Sequence, residues 1–155
     1  MSWIPVTQLD VCRSGVRLTE EETVRCCAWW AARLALDHWA IDIQIARGYA
    51  LGSSYGDIHH TLKSQRATIR VLDPNDLVPS VDPIDMEKTV VHELLHLHLA
   101  SVAAWLQARA CSDIEDAVCL EQPIERLACV LVAMRRSSRD PAVRMSWDVP
   151  EEDAP

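Results

Sequence analysis

The chain has 155 residues, 49% of them hydrophobic and 25% charged, with only 4 glycines. That length and composition fit one globular domain with its own core and exclude a fibrous or disordered chain. A formal net charge of −8 and a pI near 5.1 exclude a phosphate-tracking surface, so no nucleic-acid partner is expected.

The start, "MSWIPVTQLD", lacks the basic opening and apolar core of a signal peptide. No apolar run reaches the roughly eighteen residues of a membrane span, so the expectation is a cytoplasmic protein with no membrane partner. The 6 cysteines include no C-x-x-C pair, and free thiols acting as small apolar residues are expected.

In chain order, residues 19–37 read as the first helix. Thr19 and Glu22 form a capping-box pair, and Val24, Cys27, Ala28, Ala31, Leu34 and Ala35 recur at helical spacing. Ile41, Ile43 and Ile45 then alternate with Asp42 and Gln44, the period of a half-buried strand. "GYALGSSYG" reads as a loop. Residues 57–63 read as a weakly marked strand, and "RATIRVLDP" as a better one that ends at Asp73-Pro74.

After a proline-punctuated connection, Asp82 and Pro83 predict the start of a long helix that reaches about Gln107. A final helix is expected to open near Glu121, with Pro123 in its first turn and Arg135 and Arg136 at its end. Residues 137–155 read as an irregular, loosely docked acidic tail. The order of elements predicts an α+β domain with a small two- or three-stranded sheet packed on an N-terminal, a central and a C-terminal helix.

The central helix carries "TVVHELLHLHLA", residues 89–100, where oily positions surround three of the 6 histidines. Buried polar groups need partners. His92-Glu93-Leu94-Leu95-His96 fits H-E-x-x-H, which on a helix sets two imidazoles on one face, four residues apart. Such a pair can converge on one zinc ion, with Glu93 beside it to take a proton from a zinc-bound water. The competing reading is a pair of core histidines hydrogen-bonded to ordinary acceptors. His98 points about 200° away from His96 and is expected to be a packed histidine without a role in the site.

A catalytic zinc usually takes three protein ligands. Val102 and Leu99 occupy the positions where the extended H-E-x-x-H-x-x-G-x-x-H pattern needs His and Gly, so that class is ruled out. The alternative is a glutamate from the following helix, and "CLEQPIERLACVL" offers Glu121 and Glu125. The apolar face of Ile124, Leu127, Ala128 and Leu131 lies nearer Glu121. That favours Glu121 as third ligand and Glu125 as the acceptor that orients a ligating imidazole. Taken singly, either acid could instead be serving the helix dipole.

"LDHWAIDIQI", "ATIRVLDP", "TVVHELLHLHLA" and "EQPIERLACVLVA", across roughly residues 19–136, together resemble the gluzincin-type metallopeptidases. The likeness is greatest to very small zincin-like proteins of bacteria and their phages. That family carries E-x-x-x-D after the H-E-x-x-H helix; here Glu125 stands where Asp is usual, and Pro123 is expected to put Glu121 at the helix start.

The resemblance implies a single zincin-like domain over residues 1–155, one Zn2+ per chain, and a peptide or protein substrate. It also implies that the substrate pairs with an edge strand above the metal, for which "RATIRVL" is the candidate by position. It further implies an oxyanion-stabilising Tyr or His among Tyr49, Tyr55, His38, His59 and His60, with nothing in the spacing to select one.

The leading expectation is a zinc metallopeptidase with His92, His96 and Glu121 as ligands and Glu93 as general base. A zinc-binding but catalytically silent interaction module is the alternative. A metal-free binding protein using Trp29, Trp30 and Trp39 ranks last.

Overall fold

Glu22 N–H donates to Thr19 Oγ1 at 3.2 Å, and Thr19 N–H donates to Glu22 Oε2 at 2.9 Å. This expected capping box opens helix α1 (Glu20–Arg33). The computed structural model describes residues 15–52, 54–76, 84–109, 115–138 and 140–148. α1 stops short of residue 37 because Ala35 turns into the left-handed region, with φ 53°. Leu36 N–H then donates to the Ala31 carbonyl and Ala35 N–H to the Ala32 carbonyl, a Schellman closure. Alanine stands where glycine is usual, and burial of Leu36 offsets the cost.

Strand β1 (Ala40–Ala46) follows. The stretch read as a loop contains a one-turn helix, α2 (Gly48–Leu51), closed by Gly52 at φ 58°. β2 (Gly56–Thr61) and β3 (Arg66–Leu72) complete a three-stranded sheet of order β1-β3-β2. β1 pairs with β3 in parallel and β2 pairs with β3 antiparallel. "RATIRVL" is therefore the central strand. Both of its edges are taken, so it cannot receive a substrate strand, and the expectation that it does is corrected: β2 is the edge nearest the long helix.

Ala67, Ile69 and Val71 turn to the helices and are buried. The opposite sheet face carries Asp42, Gln44 and an Asp57–Arg70 ion pair. The core lies between the apolar sheet face and the inner sides of α1, α3 and α4.

α3 spans Met86–Arg109. Asp82 and Pro83 fall outside the described residues. Asp85 caps the helix, its carboxylate accepting from Lys88 N–H at 3.1 Å. α4 spans Glu115–Arg136, so it begins before Glu121 and holds Pro123 in its interior. The first-turn rule for proline misplaced this start. The helical hydrogen bond that Pro123 cannot make is outweighed by packing of Ile124, Ala128 and Val132, all fully buried. Leu127 lies on the outer side of α4, half exposed, and does not belong to the packing face.

A buried ionic cluster ties these helices together. Glu87, 0% exposed, accepts from Trp30 Nε1 on α1 at 3.0 Å and from Arg135 Nη2 and Arg136 Nε on α4 at 2.8 and 3.0 Å. Arg136 also forks onto Asp85, with both contacts at 2.8 Å. Arg135 reaches Asp148 at 2.7 Å, and Trp147 packs on the core. Residues 140–148 of the expected loose tail are thus docked, because Arg135 engages Asp148 and the Val143 carbonyl rather than serving the helix end alone. Among the described residues no helix is long and apolar enough to cross a membrane.

Candidate metal centre

α3 presents His92 and His96 one turn apart, as the spacing requires. Their Nε2 atoms lie 3.2 Å from each other. Glu121 on α4 places Oε2 3.2 Å from His92 Nε2 and Oε1 3.4 Å from His96 Nε2. Two atoms each about 2.0–2.1 Å from one ion at a tetrahedral angle would sit about 3.3 Å apart. The His92–His96 and His92–Glu121 Oε2 separations are of that size, while His96 is approached by the other Glu121 oxygen. Two imidazole nitrogens turned toward one point repel unless a cation or proton lies between them, so the donor set fits a metal. His92, His96 and Glu121 form a group that can hold a metal ion.

Glu125, one turn further along α4, sets its Oε2 3.1 Å from His92 Nδ1. A carboxylate there accepts the Nδ1 proton and leaves Nε2 facing the cluster. Both acids share a side of α4 with the buried Ile124, Ala128 and Val132, and both reach His92 on α3. The other Glu125 oxygen lies 2.7 Å from Lys88 Nζ. The His92 hydrogen bond, and after it the Lys88 ammonium, hold Glu125 down at about 2 against the opposing effect of burial. Burial lowers His92, but the Glu125 hydrogen bond and the neighbouring carboxylates outweigh it and raise His92 above its ordinary value. His96 is lowered, by burial and then by His92 and His60.

Glu93 is only 6% exposed, and burial, reinforced by the Glu121 and Asp57 carboxylates, pushes its pKa up to about 7. Part of that burial comes from Gly56 at the start of β2. A methyl at Gly56 would lie 3.2 Å from Glu93 Oε1 and 2.6 Å from Thr89 Cγ2. The sheet backbone therefore comes down directly onto the carboxyl.

A cleft of about 730 Å³ opens over these residues, walled by β2 on one side and by α3 and α4 on the other. Leu72 N–H donates to the Tyr55 carbonyl, which extends the β2–β3 register. Alternate residues Gly56, Ile58 and His60 therefore turn their backbone N–H and C=O to the free edge. Of the five candidate oxyanion residues, Tyr55 and His60 line the cleft. Tyr49 is solvent-exposed on α2, His59 sits beside Arg70 on the opposite sheet face, and His38 lies by Trp39. His98 is exposed, not packed, because it projects from the side of α3 away from the core.

Cys26 and Cys27 are buried free thiols, with Cys27 pushed up to about 12 by burial. Lys88 and Gly56 were missed in the sequence. Lys88 had a usable signal, since it stands one turn before His92 on the same helix face. Gly56 had only the weaker one of a glycine at a strand's start.

No protein-family model, no curated protein and no solved structure matches the chain.

Proposed function

We propose that the chain is a zinc-dependent peptidase of the gluzincin type, with His92, His96 and Glu121 holding the metal and Glu93 as general base. The observation that carries this reading is the convergence of His92, His96 and Glu121 beside the buried Glu93 carboxyl in an open cleft. Two imidazoles and a carboxylate suit zinc among the common divalent ions. Bound there, zinc supplies Lewis acidity that makes water a nucleophile near neutral pH and polarises a carbonyl.

The chain's own residues supply the rest. The outward N–H and C=O groups of Ile58 and His60 on β2 pair with an extended peptide, in the manner of strand addition. Glu93 as carboxylate accepts the proton of the attacking water as the O–C bond forms. It returns that proton to the amine nitrogen as the C–N bond breaks. Tyr55 or His60, at the cleft wall, donates to the oxygen that becomes negative. Glu125 keeps His92 in the tautomer that ligates.

The test begins with metal content after purification without a metal column. The expected result is about one zinc per chain, lost in His96→Ala and kept in Glu93→Gln, with hydrolysis of an unfolded protein such as casein abolished in both. Hydrolysis retained in Glu93→Gln refutes the mechanism. Zinc retained with no hydrolysis by the unaltered protein favours the catalytically silent module.

A further inference from the structure

Lys88 is half-buried on α3, lines the cleft, and has no part in the H-E-x-x-H motif. Its Nζ lies 2.7 Å from Glu125 Oε1, and the second oxygen of the same carboxylate lies 3.1 Å from His92 Nδ1. The three residues form an unbroken chain from ammonium to carboxylate to imidazole. The far imidazole nitrogen, Nε2, is the one turned toward His96 and Glu121. We propose that Lys88 is a positioning residue of the metal centre: by holding one oxygen of Glu125 it aims the other at His92 and so fixes the ring with Nε2 toward the metal ligands. This rests on the metal-site reading above.

A glutamate side chain has several rotatable bonds, and Glu125 is nearly half exposed, so packing alone does not fix where its carboxylate points. The Lys88 contact removes that freedom. Lys88 and His92 stand one turn apart on the same face of α3, so a single carboxylate reaching across from α4 spans both. The geometry differs from that of an exposed ion pair bridging two helices. There both carboxylate oxygens would serve the cation or the solvent, and loss of the pair would hardly be felt elsewhere. Here the oxygens are divided, one to the cation and one to a ligand, so loss of the cation is transmitted to the ligand. Cys129, with Sγ 3.9 Å from the same Glu125 oxygen that Lys88 holds, is too weak a donor to replace it.

The experiment compares zinc affinity, by competition with a chromophoric chelator, in the unaltered protein, Lys88→Met, Lys88→Arg, Glu125→Gln and the double variant Lys88→Met/Glu125→Gln. Lys88→Met is expected to weaken zinc binding about 10- to 100-fold, the usual effect of losing an outer support of a ligand. Lys88→Arg should restore most of it. In the Glu125→Gln background the Lys88 change should add little, because the two act through one contact. Imidazole nitrogen NMR on chelator-treated protein gives a readout that needs no zinc: His92 should hold its proton on Nδ1 in the unaltered protein and in Lys88→Arg, and lose that preference in Lys88→Met.

Zinc affinity unchanged in Lys88→Met, or equal losses with and without Glu125, overturns the proposal. Failure of the unaltered protein to bind zinc refutes the metal-site reading instead, and the His92 tautomer then decides the role of Lys88 separately. Should Lys88→Met not fold, Lys88→Gln gives the same comparison.

Discussion

Glu93→Gln replaces a carboxyl that is 6% exposed with a neutral group of the same shape. Burial raises its pKa from 4.5 to about 7, so between those values the folded chain keeps a proton that the unfolded chain has released. Stability therefore falls as pH rises from about 4.5 through about 7 and levels off above. At about 1.4 kcal/mol per pKa unit, the loss amounts to about 3 kcal/mol. Glutamine cannot ionise and escapes it. Urea unfolding of chelator-treated protein at about pH 5 and about pH 8 measures both terms. The variant should exceed the parent by up to about 3 kcal/mol at the higher pH and by far less at the lower. Returning zinc should shrink the difference, because a nearby cation favours the carboxylate. Equal stability of parent and variant at the higher pH would refute the claim that Glu93 is held in a desolvating site.

Gly56→Ala places a methyl 2.6 Å from Thr89 Cγ2 and 3.0 Å from the Arg70 carbonyl, so β2 must lift away from α3. Thermal unfolding should register a loss of about 1–3 kcal/mol, partly recovered by Thr89→Ser, while zinc stays bound and kcat falls as the edge strand shifts off Glu93. Glu87→Ala leaves the Arg135 guanidinium, with a side chain 2% exposed, without its buried carboxylate. The expected cost is about 3 kcal/mol in urea unfolding, and a loss below about 1 kcal/mol would show that the cluster contributes little. Because His92 is held above its ordinary pKa, protons compete for Nε2 up to a higher pH than at a free imidazole. Zinc affinity should then fall roughly tenfold per pH unit below that raised value, and Glu125→Gln should move the onset of the fall to lower pH.

The parts of this molecule that could be read from sequence are those whose causes are local. The Thr19–Glu22 box, the Ile41-Ile43-Ile45 alternation and the His92–His96 spacing are each set within a few residues, and each appears where expected. The end of α1 was missed because Ala35 takes a conformation that glycine normally signals. The start of α4 was missed because Pro123, an ordinary first-turn residue, lies deep in a helix held by tertiary packing. The edge strand was misassigned for a topological reason. Alternation reveals that β3 is a strand, but only the pairing of β1 and β2 on either side of it reveals that it is central.

Why the ligand cluster takes its shape follows from the same distinction. Spacing on α3 brings His92 and His96 together, but the reach of Glu121 and Glu125 depends on how α4 lies against α3. Polar contacts between the helices hold that pairing, together with Val90, Val91 and Leu94 of α3 and Ile124, Ala128 and Val132 of α4 in the shared core. Near the start of α3, Asp85 and Glu87 engage Arg136 and Arg135; further along, Lys88 and His92 engage Glu125. The first contact is buried and made entirely by the protein. It holds α4 against α3 at one end of the pair, so the reach of Glu121 and Glu125 toward His92 and His96 rests in part on a contact away from the cluster.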